Sequence, residues 1–347
     1  MRYERWLMSA TLVVGFLVDY ITFTSIQITI TFALLFIYWL ITGATIIFIN
    51  RYDADALPKK LKYIRLFAPL VIQFTFGALL GSSLVFYWLS GAFSVSWPII
   101  LIIVLLLVSN DLFKHYFLHP TIQVSIYFFT TLSLFSLILP FLFNSLEAWL
   151  FLLAGAISVA IFYPYIQFFL SGEKIQQEKR RMIISVSLIL LAMNALYFAN
   201  IIPPIPLSLR EAGLYHSINI SNGSYAMMGE VENVWQRLIP GETIHLKPRE
   251  KVYFYTAIFA PAKLETTILH HWQYYDEEKK EWKDQDTLSF LIVGGRKEGY
   301  KGYSFESDLF PGTWRIYVKN QRGQVLGRIK FEVIRVQGEI QLQETVR

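Results

Sequence analysis

Asp111, His115 and His119 stand four residues apart where a long apolar run ends. In an α-helix that spacing puts all three on nearly one face. Two imidazoles one turn apart can share a metal ion, and a carboxylate can complete or orient the site. Further ligands are scarce. The sequence has six histidines, and the other four, His216, His245, His270 and His271, fall in a different part of the chain. Structural or catalytic zinc takes about three or four protein ligands. The expectation is therefore three interfacial residues at a helix end, with no metal and no cofactor. A metal or proton-linked site at Asp111, His115 and His119 is the alternative. Asp19 is another carboxylate inside an apolar run, and Gln73 and Asn194 read as interhelical hydrogen-bonding groups.

A second set lies toward the C-terminus. His270, Trp272 and Tyr274 alternate along one segment, Trp282 follows, and Arg296, Tyr300 and Tyr303 come after it. On a strand the first three share a face. Exposed rings of this kind stack on sugars or anchor a protein partner, whereas turned inward they fill a core. His270 and His271 point to opposite faces and make a poor chelate. Arg296 follows two glycines in a loop, where it can bind an anion beside backbone donors or pair with a local carboxylate. There is no Gly-x-Ser-x-Gly elbow, phosphate loop or His-Glu-x-x-His motif. Ser304 makes no triad from sequence alone. The absence of cysteine excludes disulfides, thiolate metal sites and a cysteine nucleophile. No catalytic constellation is complete, which points to a non-enzymatic protein.

The elements that must position these residues differ sharply between the two halves. Overall 54% of residues are hydrophobic and 16% charged, against about a quarter charged in soluble proteins. The shortage of charge is confined to residues 1–202. A bilayer core needs roughly 20 apolar residues in a helix. Seven segments qualify, near residues 6–24, 27–49, 66–89, 95–112, 121–143, 148–170 and 182–201. The first can also be read as a signal peptide, but it is long for one and lacks a small-residue cleavage site, so a retained helix is expected. Arg2 and Arg5 precede the first segment. Arg51, Lys59, Lys60, Lys62 and Arg65 follow the second, Lys114 the fourth, and Lys174, Lys179, Arg180 and Arg181 the sixth. The alternate loops hold no Lys or Arg. Because basic residues mark cytoplasmic loops, the N-terminus is expected inside and the chain from about residue 203 outside. Proline at 203, 204 and 206 then breaks the last helix into a stiff connector.

Three regions follow: a polytopic membrane domain at 1–202, a connector and start of the outer domain at 203–249, and a β-sandwich at 250–347. Short alternating strands are expected at 250–259, 264–275, 287–293, 313–319 and 325–334, with residues 214–220 a further candidate and 225–238 strand or helix. Val252, Phe254 and Ile258 share one face, as do Trp314, Ile316 and Val318. The fold class is a membrane α-helical bundle followed by an all-β, immunoglobulin-like sandwich. Of the net charge of +5, four lie in residues 1–202 and one in the nearly neutral outer half, which therefore lacks the basic stripe that nucleic acid requires.

Ile268-Leu-His-His-Trp272, Gly294-Gly-Arg296-Lys-Glu-Gly-Tyr300, Pro311-Gly-Thr-Trp-Arg315 and Gly323-Gln-Val-Leu-Gly-Arg-Ile-Lys-Phe331 occur in that order. This set resembles the bacterial family of domain of unknown function 2914, over some 80–130 residues at the C-terminus. The resemblance implies an envelope domain, often attached to membrane segments, with no established activity and no catalytic residues to carry over. The reading is an inner-membrane, multi-pass protein whose partners are the lipid bilayer and an envelope protein or glycan bound through His270, Trp272, Tyr274, Trp282, Arg296 or Tyr300. The rival readings are an enzyme or transporter acting on a lipid-linked substrate, and a sensor that signals through a partner.

Overall fold

A computed structural model describes residues 28–112, 119–169, 173–221, 224–231, 242–261, 264–295, 299–307 and 309–347. The chain forms two compact units, one running to Leu89 and over Ser96–Ile202, the other comprising Ser90–Val95 and Pro203–Arg347.

The first unit holds six helices long and apolar enough to cross a membrane. They are α1 (Ile28–Asp53), α2 (Lys62–Ser90), α3 (Phe93–Leu112), α4 (Pro120–Phe143), α5 (Ala148–Pro164) and α6 (Glu173–Phe198). The expected segment at 6–24, with Asp19, lies outside the described residues. Helix boundaries follow local chemistry. Pro120 occupies the first turn of α4, where its missing N–H costs nothing. Asn144 closes the same helix in the left-handed conformation, its N–H bonded to the Pro140 carbonyl.

Helix α4 packs against α1, α5 and α6, and polar contacts fix its register. Trp39 Nε1 donates to Thr131 Oγ1 at 2.8 Å, and the Tyr165 hydroxyl donates to the Gly43 carbonyl at 2.8 Å. Gly43 is required by this approach, since a Cβ there would lie 2.3 Å from the Tyr127 hydroxyl. Gln73 accepts from Asn110 through its carbonyl at 2.9 Å, whereas Asn194 bonds back to Leu190 in its own helix. Leu66, Leu70, Leu105, Leu188 and Leu191 are all more than half exposed. So wide an apolar exterior is what a lipid-facing surface needs.

The second unit is all β. One sheet has the order β1-β5-β8, a second β4-β10-β9-β6-β7, and a third β11-β3-β2. The strands are β1 (Ser208–Tyr215), β2 (Ser217–Ser221), β3 (Ser224–Glu230), β4 (Glu242–Leu246), β5 (Val252–Phe259), β6 (Glu265–Asp276), β7 (Glu281–Val293), β8 (Tyr300–Glu306), β9 (Gly312–Asn320), β10 (Val325–Arg335) and β11 (Leu342–Val346). Strand β4 runs parallel to β10, and the other pairs are antiparallel.

The first two sheets pack face to face. Val252, Phe254 and Ile258 of β5, Ile268 and Trp272 of β6, Trp314, Ile316 and Val318 of β9, and Phe331 and Val333 of β10 are all buried, and the Phe254 ring meets His270 and Trp272 across the sheets at 4.7 and 6.2 Å. Period-2 alternation puts exactly these apolar residues inward. The third sheet adds to the two-sheet arrangement expected from sequence. It arises because the 214–220 candidate is two strands broken at His216, and because β11 pairs with β3 rather than joining the sandwich.

Candidate functional site

His270 and Trp272 lie in the shared core, each 0% exposed. His270 Nδ1 is 2.8 Å from Ser304 Oγ, and Nε2 is 3.1 Å from Thr256 Oγ1. Trp272 Nε1 donates to the same Ser304 Oγ at 3.2 Å. Phe254 and Phe290 close on the imidazole edge to face at 4.7 and 5.0 Å. Burial pushes the His270 pKa down to about 3, so the ring is neutral at physiological pH. A serine beside a histidine suggests acyl-transfer chemistry, but here no carboxylate orients the ring and Ser304 is itself buried. The arrangement is a satisfied polar network crossing the sandwich, and neither His270 nor Trp272 can meet an external ligand as packed.

Tyr274 sits at the rim of the same face, against Phe310 at 4.8 Å and Trp314 at 5.7 Å. Tyr300 opens β8 opposite Ile258. Arg296 lies outside the described residues.

The opposite face of the five-stranded sheet is different in kind. His271, Gln273 and Tyr275 of β6 point outward, beside Trp282 and Asp284 of β7 and Arg315, Tyr317 and Lys319 of β9. The Arg315 guanidinium lies 3.9 Å from the Trp282 ring centroid and 5.0 Å from that of Tyr317. Lys319 Nζ is 4.7 Å from the Tyr317 ring, and Tyr275 packs on Trp282 at 5.2 Å. Polar bonds hold the set in place. Arg315 Nε donates to Gln273 Oε1 at 2.6 Å, Gln273 Nε2 donates to Asp284 Oδ1 at 2.5 Å, and His271 Nε2 is 2.8 Å from the same oxygen. Of the five described residues expected to bind a partner, Trp282 is the one that joins this cluster. Sequence reasoning missed His271, Gln273, Arg315 and Tyr317. For Arg315 and Tyr317 the signal was available, because they alternate with the apolar Trp314, Ile316 and Val318; His271 and Gln273 alternate with residues expected to bind.

Among the helices, His119 Nε2 is 2.9 Å from Glu178 Oε1, and Thr121 Oγ1 donates to Glu178 Oε2 at 2.5 Å. Asp111 lies in the last turn of α3, and His115 is outside the described residues. Among the described residues, no group of three or more His, Asp or Glu is arranged to hold a metal ion.

A fourth cluster was not legible in the sequence. His216 Nδ1 is 2.8 Å from Glu250 Oε1, and Nε2 is 3.2 Å from Glu230 Oε1. His245 Nδ1 is 2.7 Å from Glu230 Oε2. Burial opposes charge on His216, but hydrogen bonds to Glu230 and Glu250 outweigh it and raise the pKa. Burial likewise opposes ionisation of Glu230, and its bonds to His216 and His245 outweigh that and hold its pKa below the usual range. The four residues come from four separate segments, so no spacing betrays them.

Residues 265–333 match the family described as Protein of unknown function (DUF2914). The DUF2914 segment runs from the first residue of β6 into β10 and contains the whole outward aromatic face. The helical residues and the His216 network lie outside it. No curated protein matches the chain. Among solved structures, a β-glucosidase from Listeria innocua in complex with gluconolactone is 12% identical at a TM-score of 0.20, covering 32% of this chain and 16% of its own. The alkylpurine DNA glycosylase AlkC of Pseudomonas fluorescens, bound to DNA containing an abasic site analog, is 9% identical at a TM-score of 0.23, covering 86% and 97%. The chain thus spans about a sixth of the β-glucosidase. Values this low do not define a shared fold with the DUF2914 segment or the rest of the chain.

Proposed function

We propose that this chain is a multi-pass protein of the bacterial inner membrane that presents an immunoglobulin-like β module outside the cytoplasm, where it binds an envelope protein or glycan without catalysing a reaction. The observation that carries the binding role is the outward face of β6, β7 and β9. Aromatic rings, a guanidinium and hydrogen-bonding groups converge there in solvent, within the DUF2914 segment. Tyr, Trp and Arg are the residues that dominate binding energy at recognition surfaces. The hydroxyl and imidazole groups that would suggest catalysis are instead sealed in the core.

Strand order supports the immunoglobulin-like reading. A β1-β5-β8 sheet faces a β10-β9-β6-β7 sheet, and Trp272 is buried on the strand that follows β5. That is where immunoglobulin domains bury their core tryptophan. The placement outside the cytoplasm rests on the basic loops, and the membrane reading on six long apolar helices.

Photo-crosslinking in expressing cells tests the role. A photoreactive residue at Tyr317 should give discrete adducts that disappear with Trp282→Ala, while one at the buried Ile316 should give none. Adducts from neither position would contradict the binding reading.

A further inference from the structure

Charge on the outward face is not balanced by its own side chains. Arg315 on β9 stands directly opposite Lys330 on β10, and Tyr317 directly opposite Arg328. Like charges facing each other across an antiparallel pair are destabilising. Burial lowers the Arg315 pKa, and Arg328 adds to it, against the opposing pull of Tyr317 and Asp284. Burial, with Arg315 adding to it, likewise lowers Lys319 despite Asp284. Asp284 attracts both Arg315 and Lys319, but its single charge is outnumbered by Arg315, Lys319, Arg328 and Lys330. On β10, Glu332 lies beyond this pair, opposite Thr313. Arg328 and Lys330 are exposed. The face therefore offers cations in excess, arranged so that an anion between them would relieve an existing strain.

The accompanying groups narrow the anion. Trp282 and Tyr317 are half-buried and flank the Arg315 guanidinium. Gln273, His271 and Asp284 form a polar strip between the rings, bonded to one another and through His271 Nδ1 to Lys319, and the exposed Asp284 carboxylate has further lone pairs for a sugar hydroxyl. Resting on the reading of this face as a binding surface, we propose that it binds an acidic glycan, with the sugar rings on Trp282 and Tyr317 and their carboxylates between Arg315, Arg328 and Lys330. Charge complementarity picks the ligand's sign, and the interleaved rings pick its class.

The test uses the full chain in nanodiscs of neutral lipid. The probe is a fluorescent alginate oligomer, compared with the same oligomer after carboxyl reduction, with polyglutamate, and with glycerophosphoglycerol as the free headgroup of an anionic lipid. Saturable alginate binding is expected, about tenfold or more tighter than to each comparator and weakened about tenfold by Arg328→Gln with Lys330→Gln. These two residues are exposed, so the variant keeps the fold, and its core fluorescence reports that directly. The proposal is overturned by no saturable alginate binding, by equal binding of the reduced oligomer, by polyglutamate or headgroup binding as tightly, or by a folded variant that binds like the parent. If alginate fails while Tyr317 crosslinks persist, the glycan assignment falls and the binding reading survives. If both fail, both fall.

Discussion

His270 and His216 titrate in opposite directions because of what surrounds them. His270 is neutral between two hydroxyls, with its pKa pushed from 6.5 to about 3 by burial. The stability it contributes is full above about pH 6.5 and declines as pH falls toward 3, because the unfolded chain takes up a proton that the folded one refuses. His216 is raised above 6.5 by its two carboxylates. Its contribution is full below 6.5 and is lost as pH rises through the higher folded value. Glu230 is lowered from 4.5, so its part is present above 4.5 and lost as pH falls further. Denaturant unfolding of the parent and of His216→Gln should therefore show the largest gap on the acid side of neutrality, closing as pH rises. A gap that widens with pH would contradict the bridged arrangement. His270→Ala removes one partner each from Ser304 and Thr256, which keep their bonds to Trp272 and to the Gly302 carbonyl, and should cost about 1–3 kcal/mol in all, measured by tryptophan fluorescence during unfolding.

Elements were legible where one face is apolar and lost where neither is. Strands β5, β6, β9 and β10 emerged from sequence because alternate residues bury Ile, Val, Phe and Trp. Strand β8 was missed because its pattern is inverted: Gly302 and Ser304 face inward while Tyr303 and Phe305 are exposed. Strand β7 begins six residues earlier than expected, because four of the six residues Glu281–Asp286 are charged and lie on an edge strand with little apolar alternation. The same alternation was read without its sign: His270, Trp272 and Tyr274 do share a face, and that face looks inward. Gly302 shows why β8 needs its small residue. A Cβ there would lie 2.4 Å from the Phe290 ring. Gly302→Val should destabilise the β unit by about 1–3 kcal/mol, and Phe290→Leu in the same chain should restore part of the loss. Additive losses in the double variant would show that the two residues are not coupled.

For the whole molecule, composition changes near residue 203, and Pro203–Arg347 falls with Ser90–Val95 in one compact unit. The β unit owns a continuous core and nearly balanced charge, so residues 207–347 alone should be soluble and β-rich by circular dichroism. Mostly helical or persistently aggregated material would argue against a separate module. The central claim, that this module displays its basic aromatic face outside the cytoplasm, has one most direct test. The chain contains no cysteine, so each introduced thiol is unique. Lys330→Cys and Lys60→Cys variants are treated with a membrane-impermeant maleimide on cells whose outer layers have been opened but whose inner membrane is intact. The thiol at position 330 should label at once and the one at position 60 only after lysis. Labelling in the reverse order, or silence at position 330 until the inner membrane is broken, would contradict it.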